Sequence, residues 1–403
     1  AELITVKGKR LMEEADVIVY DRLVGSSILS YGNNEAEYID VGKRAGFHPI
    51  PQEEINKILA AEAEKGGKIV RLKGGDPLVF GRGAEEAEYL NAQGIAFEIV
   101  PGITSAVSVP AYLGIPVTHR DMASSFHVVT AHKKDGSFPD ISYDALVKGG
   151  GTLVFLMGVH TVKDVAEGLV KSSMPPETPA AVLERGTTAR QRKIKGTIAD
   201  IARKALEEKI QSPAIILVGQ VAGEEQMEWY DKRPLAGKKF VVTRPREQKD
   251  KLSALLREKG AEVLEAPTIR IVPIEENPAL DEALEKIADY SWLVFTSPTG
   301  VRIFRDYLKK HSIDNRKLSH LNFAVIGQGT AEKMREWGFS PDLMPEVYDS
   351  RHLAEELALQ VGKNEKILLP RARMGSRELT EILERAGIQT ADIPLYDTCY
   401  ESL

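Results

Sequence analysis

The sequence has little cysteine, no long apolar run and no excess of positive charge, and each shortage excludes a class of protein. Cys399 is the only cysteine in 403 residues, so an internal disulfide and a thiolate metal site are excluded. Such low cysteine usage is typical of proteins in a reducing compartment. A membrane-spanning helix needs about 18 consecutive apolar residues, and no apolar run approaches that length. We also find no signal-peptide pattern in the first residues. These absences predict a cytoplasmic protein that does not interact with membranes.

The charge balance argues against a nucleic-acid-binding surface spread over the whole protein and leaves local basic clusters open. Lysine and arginine number 53 against 59 acidic residues, which gives a net charge of −6. Apolar residues make up 43% of the chain, and 33 glycines and 21 prolines are close to average usage, so disorder and low-complexity structure are excluded as well. At about 150 residues per domain, the length predicts two or three globular domains.

Short β-branched runs alternate with helical stretches, which predicts α/β architecture with βαβ units around parallel sheets. Nearly continuous apolarity indicates strands buried on both faces. The first series of predicted strands spans residues 17–21, 68–73, 97–101, 126–131, 152–158, 180–185 and 214–220. After a polar segment at 221–237, which we interpret as a linker, a second series spans 239–245, 291–297, 322–330 and 366–373. A proline-containing break near Thr118 predicts two lobes in the first series, with a ligand cleft between them.

Ligands of open α/β sheets bind beyond the carboxyl ends of the strands, so residues that directly follow strands are the candidates. Gly74 and Gly75 follow one strand and would let backbone amides approach a ligand, and Asp76 can accept hydrogen bonds from it. The stretch GGDPLVFGRG (74–83) has neither the Walker A ending nor a strict GxGxxG spacing. A glycine-rich turn with Asp76 as a helix cap is the alternative.

Three further post-strand segments carry candidates, each with a structural alternative. Thr104 and Ser105 in VPGITSA (100–106) could border a ligand or cap the next helix. Asp21, followed by Arg22, could be functional or could cap the segment 26–29. Lys43 and Arg44 in GKRAG would suit an anionic substrate or could simply be solvated.

Four histidines and one methionine also raise functional interpretations. The histidines are His119, His127, His132 and His160. Their spacings match no metal-ligand pattern, so we expect no metal site. Met157 ends an apolar strand, where core packing is the default interpretation.

Eight ordered blocks over residues 1–222 closely resemble uroporphyrinogen-III C-methyltransferases. They are YDRLV (20–24), VGKRAG (41–46), GGDPLVFGRGAEE (74–86), VPGITSA (100–106), GIPVTHRD (114–121), LMG (156–158), ERGTTARQR (184–192) and SPAIILVG (212–219). The resemblance implies a tetrapyrrole methylase fold, with S-adenosyl-L-methionine in the cleft between two α/β lobes, and a homodimer formed through this unit.

The resemblance also implies roles for individual residues. Asp21 matches the family's proposed proton acceptor and Lys43 its proposed donor. The positions implied to hold S-adenosylmethionine are Gly74, Gly75, Asp76, Val79, Thr104, Ser105, Met157 and Gly186, with backbone contacts from Ala181 and Ala214. The substrate carries eight carboxylates, for which the candidate cations are Arg22, Lys43, Arg44, Arg82 and Arg120.

Residues 238–403 resemble uroporphyrinogen-III synthases through VTRPREQ (242–248), FTSPTGVRIF (295–304), VIGQGTAEKMREWG (325–338), MPEVYDSRHLAEEL (344–357) and LPRARMGSRELTEILERAG (369–387) with LYDT (395–398). That family closes hydroxymethylbilane into uroporphyrinogen III without a cofactor. By its position, Tyr396 is a candidate polar group for this reaction or, alternatively, an edge-strand aromatic residue. The candidate residues around its cleft are Thr243, Arg244, Ser297, Thr330 and Arg371.

The two resemblances predict the domain organisation and leave alternatives for the function. The ranges are 1–118 and 119–222 for the methyltransferase lobes, 223–237 for the linker, 238–272 for an incomplete first synthase lobe and 273–403 for the second. In the methyltransferase family a strand with a GAGPGD loop precedes the position of Ala1. In the synthase family a strand and helices follow the position of Leu403. Each unit is therefore expected to lack one end. The alternatives are a precorrin methyltransferase with another substrate, and a non-catalytic two-lobed anion-binding protein.

Overall fold

The computed structural model describes residues 2–33, 35–42, 50–131, 140–224, 227–244, 249–362 and 364–400. The chain is a mixed α/β protein with two compact units. One unit comprises residues 1–242 and 250–265, and the other comprises residues 243–249 and 266–403. The α/β fold class predicted from the sequence is confirmed.

The first unit begins with a three-stranded parallel sheet in the order β2-β1-β3. Its elements are α1 (Val6–Glu13), β1 (Val17–Tyr20), α2 (Ser26–Leu29), β2 (Glu37–Asp40), α3 (Gln52–Glu64), β3 (Ile69–Leu72), α4 (Gly83–Ala92) and α5 (Ser105–Tyr112). Ile18 and Val19 are fully buried in β1, as expected for a central strand covered on both faces. Because all three strands run in parallel, their carboxyl ends lie at one edge of the sheet.

A second sheet of the same unit has the order β4-β5-β8-β6-β7. Its elements are β4 (Phe126–Thr130), α6 (Tyr143–Gly149), β5 (Thr152–Leu156), α7 (Val162–Lys171), β6 (Pro179–Glu184), β7 (Arg192–Thr197), α8 (Ile201–Glu207) and β8 (Ala214–Val218). Only β4 and β5 pair in parallel, while the other three pairings are antiparallel. The prediction of a parallel sheet is therefore wrong here, since a short loop such as that between β6 and β7 joins antiparallel neighbours.

The strand predicted at residues 97–101 does not form in the structure. Phe97 and Ile99 are exposed, and none of the strands in the described part of the chain pairs with this segment. Its sequence has strand character, but a strand exists only where a neighbour accepts and donates the ladder hydrogen bonds. Propensity alone was an insufficient guide at this position.

The segment predicted to be a linker packs against the first unit. The indole Nε1 of Trp229 donates a hydrogen bond to Ala111 O at 2.8 Å, and the Tyr230 hydroxyl donates to Gly260 O at 3.1 Å. Tyr112 contacts both aromatic rings, with centroid distances of 5.4 and 4.9 Å. The same unit includes a parallel pair formed by β9 (Lys239–Val242) and β10 (Glu262–Glu265), with α9 (Lys249–Glu258) between them. The domain ranges given above remain a prediction, and this grouping differs from their assignment of residues 238–272.

The second unit contains one five-stranded sheet in the order β11-β15-β14-β12-β13. Its elements are β11 (Ile269–Pro273), α10 (Pro278–Glu285), β12 (Trp292–Phe295), α11 (Pro298–Lys310), β13 (Asn322–Val325), α12 (Gln328–Trp337), α13 (Ser350–Gln360), β14 (Lys366–Ala372), α14 (Glu378–Arg385) and β15 (Gln389–Tyr400). Phe295 and Phe304 are fully buried between the sheet and α11, with ring centroids 5.5 Å apart. Ser297 begins α11, because its hydroxyl accepts a hydrogen bond from Gly300 N at 3.0 Å and Pro298 occupies the first helical position.

Among the residues that the structure describes, no helix is both long enough and apolar enough to cross a membrane.

Candidate active site

The loops that follow the three strands of the first sheet meet at its carboxyl edge. A Cβ atom on Gly42, after β2, would lie 2.6 Å from Arg22 N in the loop after β1. A Cβ atom on Gly74, after β3, would lie 3.1 Å from the Cβ of Leu23 in that same loop. The approach at Gly42 requires glycine, and a side chain at position 74 would crowd Leu23, so the loops after the three parallel strands pack against one another.

A fourth segment, residues 100–105, joins this edge through Asp76. The Asp76 carboxylate accepts hydrogen bonds from Leu78 N through Oδ1 and from Gly102 N through Oδ2, both at 2.9 Å. A Cβ atom on Gly102 would lie 2.1 Å from Gly75 O, so the two glycine turns are in direct backbone contact. Asp76 is not a helix cap, because α4 begins later, at Gly83. Thr104 does cap α5, accepting from Ala106 N at 3.3 Å.

Asp21 is held by an arginine at the same edge. Arg71 Nη2 donates to Asp21 Oδ2 at 2.9 Å, and the Asp21 side chain keeps 30% of its surface exposed. Gly25, rather than Asp21, is the cap residue of α2, so the capping alternative for Asp21 is wrong. A partly exposed, oriented carboxylate at the end of a strand can accept a proton from a bound molecule.

Behind Arg71 lies a buried cluster of charges that the sequence reasoning missed. Glu86 Oε1 accepts hydrogen bonds from Arg71 Nε at 3.1 Å, Lys73 Nζ at 2.9 Å and Gln52 Nε2 at 3.0 Å. The side chains of Arg71, Lys73 and Glu86 are 13%, 8% and 6% exposed. Burial, and secondarily the charge of Arg71, lowers the pKa of Lys73. The sequence signal for this cluster was the presence of two cations, Arg71 and Lys73, in a segment predicted to be a strand buried on both faces.

Four predicted cofactor positions lie in or beside the second sheet. Met157 directly follows β5 with φ of 60° and is 54% exposed, so the core-packing alternative is wrong. A Cβ atom on Gly186 would lie 2.4 Å from Val109 Cγ1 of α5, which places the loop after β6 against the helix that follows the 100–105 segment. Ala181 is fully buried and pairs with both β7 and β8. Ala214 is buried at the start of β8.

The remaining candidates of the first unit differ in their surroundings. Val79 and Arg22 are exposed. Arg82 forms an exposed ion pair with Glu85, with Nε to Oε1 and Nη2 to Oε2 distances of 2.8 and 2.6 Å. The Glu85 carboxylate raises the pKa of Arg82. Ser105 opens α5, and Arg120 is exposed in a turn. Lys43 and Arg44 lie outside the described residues.

In the second unit, Ser297 and Tyr396 come together. Their hydroxyl oxygens are 3.1 Å apart, and Tyr396 is buried in β15 between β11 and β14. Since β15 is an interior strand, the edge-strand alternative for Tyr396 is wrong. Thr330 is buried in the first turn of α12, and Thr243 and Arg244 are exposed before α9.

Arg371 is bound within the fold of the same unit. Its Nε and Nη2 donate to Asp392 Oδ1 and Oδ2 at 2.8 and 2.6 Å. The side chains are 6% exposed for Arg371 and 39% for Asp392, so the arginine has little water to replace its partner. Bidentate geometry of this kind is the strongest form of ion pair between these residue types.

Replacing Asp392 is expected to destabilise the second unit. Asp392→Ala leaves the buried Arg371 charge without its partner, which should lower the free energy of unfolding by about 3 kcal/mol. The control is Asp397→Ala on the same strand, because Asp397 pairs with Arg373 on the exposed surface at 2.7 Å; there we expect a loss of about 1 kcal/mol or less. Urea unfolding of both variants tests this, and equal losses would contradict it.

Within the described residues, no group of three or more His, Cys, Asp or Glu side chains is arranged to hold a metal ion. Three of the four histidines considered above are among those residues, whereas His132 is outside them.

Comparison with known proteins matches two different family models to the two parts of the chain. Residues 1–202 match the family model of tetrapyrrole (corrin/porphyrin) methylases, and residues 250–402 match that of uroporphyrinogen-III synthase HemD. The porphyrin biosynthesis protein HemD of Ruminiclostridium josui is 45% identical over 99% of this chain and 79% of its own length. An S-adenosyl-L-methionine-dependent uroporphyrinogen III methyltransferase of Methanosarcina barkeri is 52% identical over 55% of this chain and 87% of its own length.

Among solved structures, the cobalamin biosynthetic enzyme cobalt precorrin-4 methyltransferase aligns with a TM-score of 0.50 at 25% sequence identity, covering 55% of this chain and 91% of that one. The alignment supports the methylase fold. The methylase family model matches half of the chain, and the HemD relative aligns with nearly all of it. The chain therefore belongs to the tetrapyrrole methylases and carries a uroporphyrinogen-III synthase unit C-terminal to the methylase.

Proposed function

We propose that the first unit transfers methyl groups from S-adenosyl-L-methionine to two pyrrole carbons of uroporphyrinogen III, giving precorrin-2. We further propose that the fused synthase converts hydroxymethylbilane to that uroporphyrinogen III. Similarity to the S-adenosyl-L-methionine-dependent uroporphyrinogen III methyltransferase of Methanosarcina barkeri supports this substrate and this methyl donor. The observation that carries the proposal is the Asp21 carboxylate, oriented by Arg71 at the edge where the glycine turns meet.

The residues around the glycine turns fit S-adenosylmethionine. Glycine at positions 74 and 102 lets the turns pack closely, because a Cβ atom would lie 3.1 Å from Leu23 Cβ and 2.1 Å from Gly75 O. Exposed Met157 and Val79 supply apolar surface. The residues proposed to hold the methyl donor are Gly74, Gly75, Asp76, Val79, Thr104, Ser105, Met157, Ala181, Gly186 and Ala214. When bound, the donor supplies a methyl group on a sulfonium, which is already a strong electrophile.

The protein's task is then to align a pyrrole carbon and to remove a proton. Alignment is a matter of entropy and electrostatics, and needs no metal. A new bond forms between the pyrrole carbon and the methyl group, S-adenosylhomocysteine leaves, and the substrate must lose a proton. In our proposal Asp21 accepts this proton, while Lys43 handles a separate proton of the substrate or binds its carboxylates.

Cations near the cleft would bind the eight carboxylates of the substrate, which explains how an acidic protein accommodates a polyanion. Arg82 and Arg120 are proposed for this role together with Arg22, Lys43 and Arg44. Exposed guanidinium groups recognise carboxylates in bidentate geometry. Arg82 would exchange its exposed pairing with Glu85 for a substrate carboxylate, and surface pairs of this type are weak enough to be exchanged.

In the synthase unit, the contact between Ser297 and Tyr396 supports a polar role for Tyr396. Ring closure requires acid-assisted loss of a hydroxyl group and containment of the resulting cation. A buried phenol 3.1 Å from a second hydroxyl can donate a hydrogen bond to the leaving oxygen. Thr243, Arg244, Thr330 and Arg371 are proposed to line the same cleft.

We infer a cytoplasmic homodimer formed through the methylase unit, supplying precorrin-2 to siroheme synthesis, to cobalamin synthesis or to both. The proposed substrates are small tetrapyrroles, and neither nucleic acid nor a membrane is a proposed partner.

The test is turnover of the full chain with defined substrates. Hydroxymethylbilane and S-adenosylmethionine together should give a product that carries two added methyl groups, with two S-adenosylhomocysteines released per tetrapyrrole. Supplying uroporphyrinogen III directly isolates methylation, and omitting the methyl donor isolates the synthase. Retention of the ligands without any product would instead establish a binding protein.

A further inference from the structure

We propose that Glu86 is a positioning residue for methyl transfer, which acts through Arg71 on the Asp21 carboxylate. The inference rests on the proposed function, because it assigns a role to Glu86 in the proton transfer proposed for Asp21. Glu86 lies within the block GGDPLVFGRGAEE, but the sequence reasoning gave it no role.

Arg71 connects the two carboxylates by direct bonds from two different nitrogens of its guanidinium. Its Nε donates to Glu86 Oε1 at 3.1 Å and its Nη2 donates to Asp21 Oδ2 at 2.9 Å. Nη1 donates to Leu72 O at 3.0 Å and lies 3.4 Å from Val19 O. Backbone carbonyls of β1 and β3 therefore hold Nη1, while Glu86 is the anion that holds the Nε end of the guanidinium.

The charges of this cluster balance only when Glu86 is present. Two carboxylates, of Asp21 and Glu86, face two cations, of Arg71 and Lys73, and the burial described above weakens solvent screening. Lys73 bonds to the same oxygen of Glu86 that receives the Arg71 bond. Burial and the Arg71 charge already lower the pKa of Lys73, so the two cations repel each other in the native structure.

Loss of the Glu86 charge should therefore displace Arg71. The isosteric change Glu86→Gln keeps the side-chain shape but leaves Arg71 and Lys73 facing each other without the anion between them. Their repulsion would shift the guanidinium, and with it the Asp21 carboxylate, by a fraction of an ångström. Displacements of about 1 Å at a reacting group can cost about 100-fold in rate.

The experiment is a double-mutant cycle on the full chain, with Asp21→Asn, Glu86→Gln and the combined variant. Steady-state methylation of uroporphyrinogen III and calorimetric binding of S-adenosylhomocysteine are measured for each. We expect Glu86→Gln to lower kcat by about 10- to 100-fold, with the KM for S-adenosylmethionine and the affinity for S-adenosylhomocysteine nearly unchanged. In the Asp21→Asn background the same change should cause no further loss, because groups that act as one unit are not additive.

Glu62→Gln is the matched control for loss of a buried carboxylate. Glu62 is buried in α3 of the same lobe, and its two carboxylate oxygens bond to Lys65 Nζ at 2.7 and 2.8 Å. This variant should keep wild-type kcat whatever it does to the midpoint of thermal unfolding. If it loses as much kcat as Glu86→Gln, the effect is one of fold stability and the inference is overturned.

The remaining outcomes separate this inference from the proposed function. An equal kcat loss for Glu86→Gln in both backgrounds, or no loss at all, overturns the role of Glu86 and leaves methylation established. A wild-type chain without turnover overturns the proposed function itself. An Asp21→Asn variant with full turnover removes the proposed base, and with it any action of Glu86 through Asp21.

Discussion

Asp21→Asn is expected to lower the turnover of uroporphyrinogen III methylation by about 10²–10⁴-fold, the range typical of a lost general base. The amide cannot accept a proton at neutral pH, but it can still accept the hydrogen bond that Arg71 Nη2 donates. The loop after β1 should therefore keep its conformation. Binding of S-adenosylmethionine, which involves the glycine turns after β3, should change little. Single-turnover rates and calorimetric binding measure the two effects separately.

The control for this prediction is Asp16→Asn, at the opposite end of the same strand. Asp16 Oδ2 accepts a hydrogen bond from Lys68 N at 2.7 Å, so its loss affects the start of the sheet and not the carboxyl edge. This variant should keep its turnover while losing some stability. If Asp21→Asn turns over at the wild-type rate, the proton acceptor has been assigned to the wrong residue.

The sequence was most informative where apolar runs are long and fully buried. β5, β6 and β8 each consist almost entirely of buried residues, and continuous apolarity predicted all three. It could not predict their directions, because an apolar run has the same composition in a parallel and an antiparallel sheet. The segment at 97–101 was predicted as a strand for the same apolar character, yet strand formation also requires a neighbouring strand that composition does not specify.

The site was predictable to the extent that it depends on local turns. Gly74 and Asp76 follow a predicted strand that forms, and the rule that ligands bind at carboxyl ends singled them out, whereas Gly102 follows the segment 97–101, which is not a strand. The ion pair of Asp21 with Arg71 joins residues that are 50 positions apart. The bond from Arg71 to Glu86 joins β3 to α4, 15 positions further along the chain. Such contacts depend on the packed arrangement of strands and helices, which spacing in the sequence does not reveal.

The close contact of the two glycine turns makes Gly102→Ala the second variant with a large expected effect. The added methyl group would lie 2.1 Å from Gly75 O and 3.1 Å from Asp76 Cα, and these backbone atoms can move only if the turns separate. Separation would also stretch the 2.9 Å bond from Gly102 N to Asp76 Oδ2. Overpacking of this kind costs about 1–3 kcal/mol, so we expect the affinity for S-adenosylhomocysteine to fall by about 10- to 100-fold.

Gly149→Ala in α6 tests whether the loss comes from the contact and not from the added methyl group itself. A Cβ atom there meets only the His127 ring, at 3.7 and 3.8 Å, which is ordinary van der Waals contact. Binding by this variant should equal that of the wild type, and circular dichroism should show both variants folded. Equal affinity of Gly102→Ala and the wild type would mean that the cofactor binds elsewhere, since a site built on these turns cannot tolerate their separation.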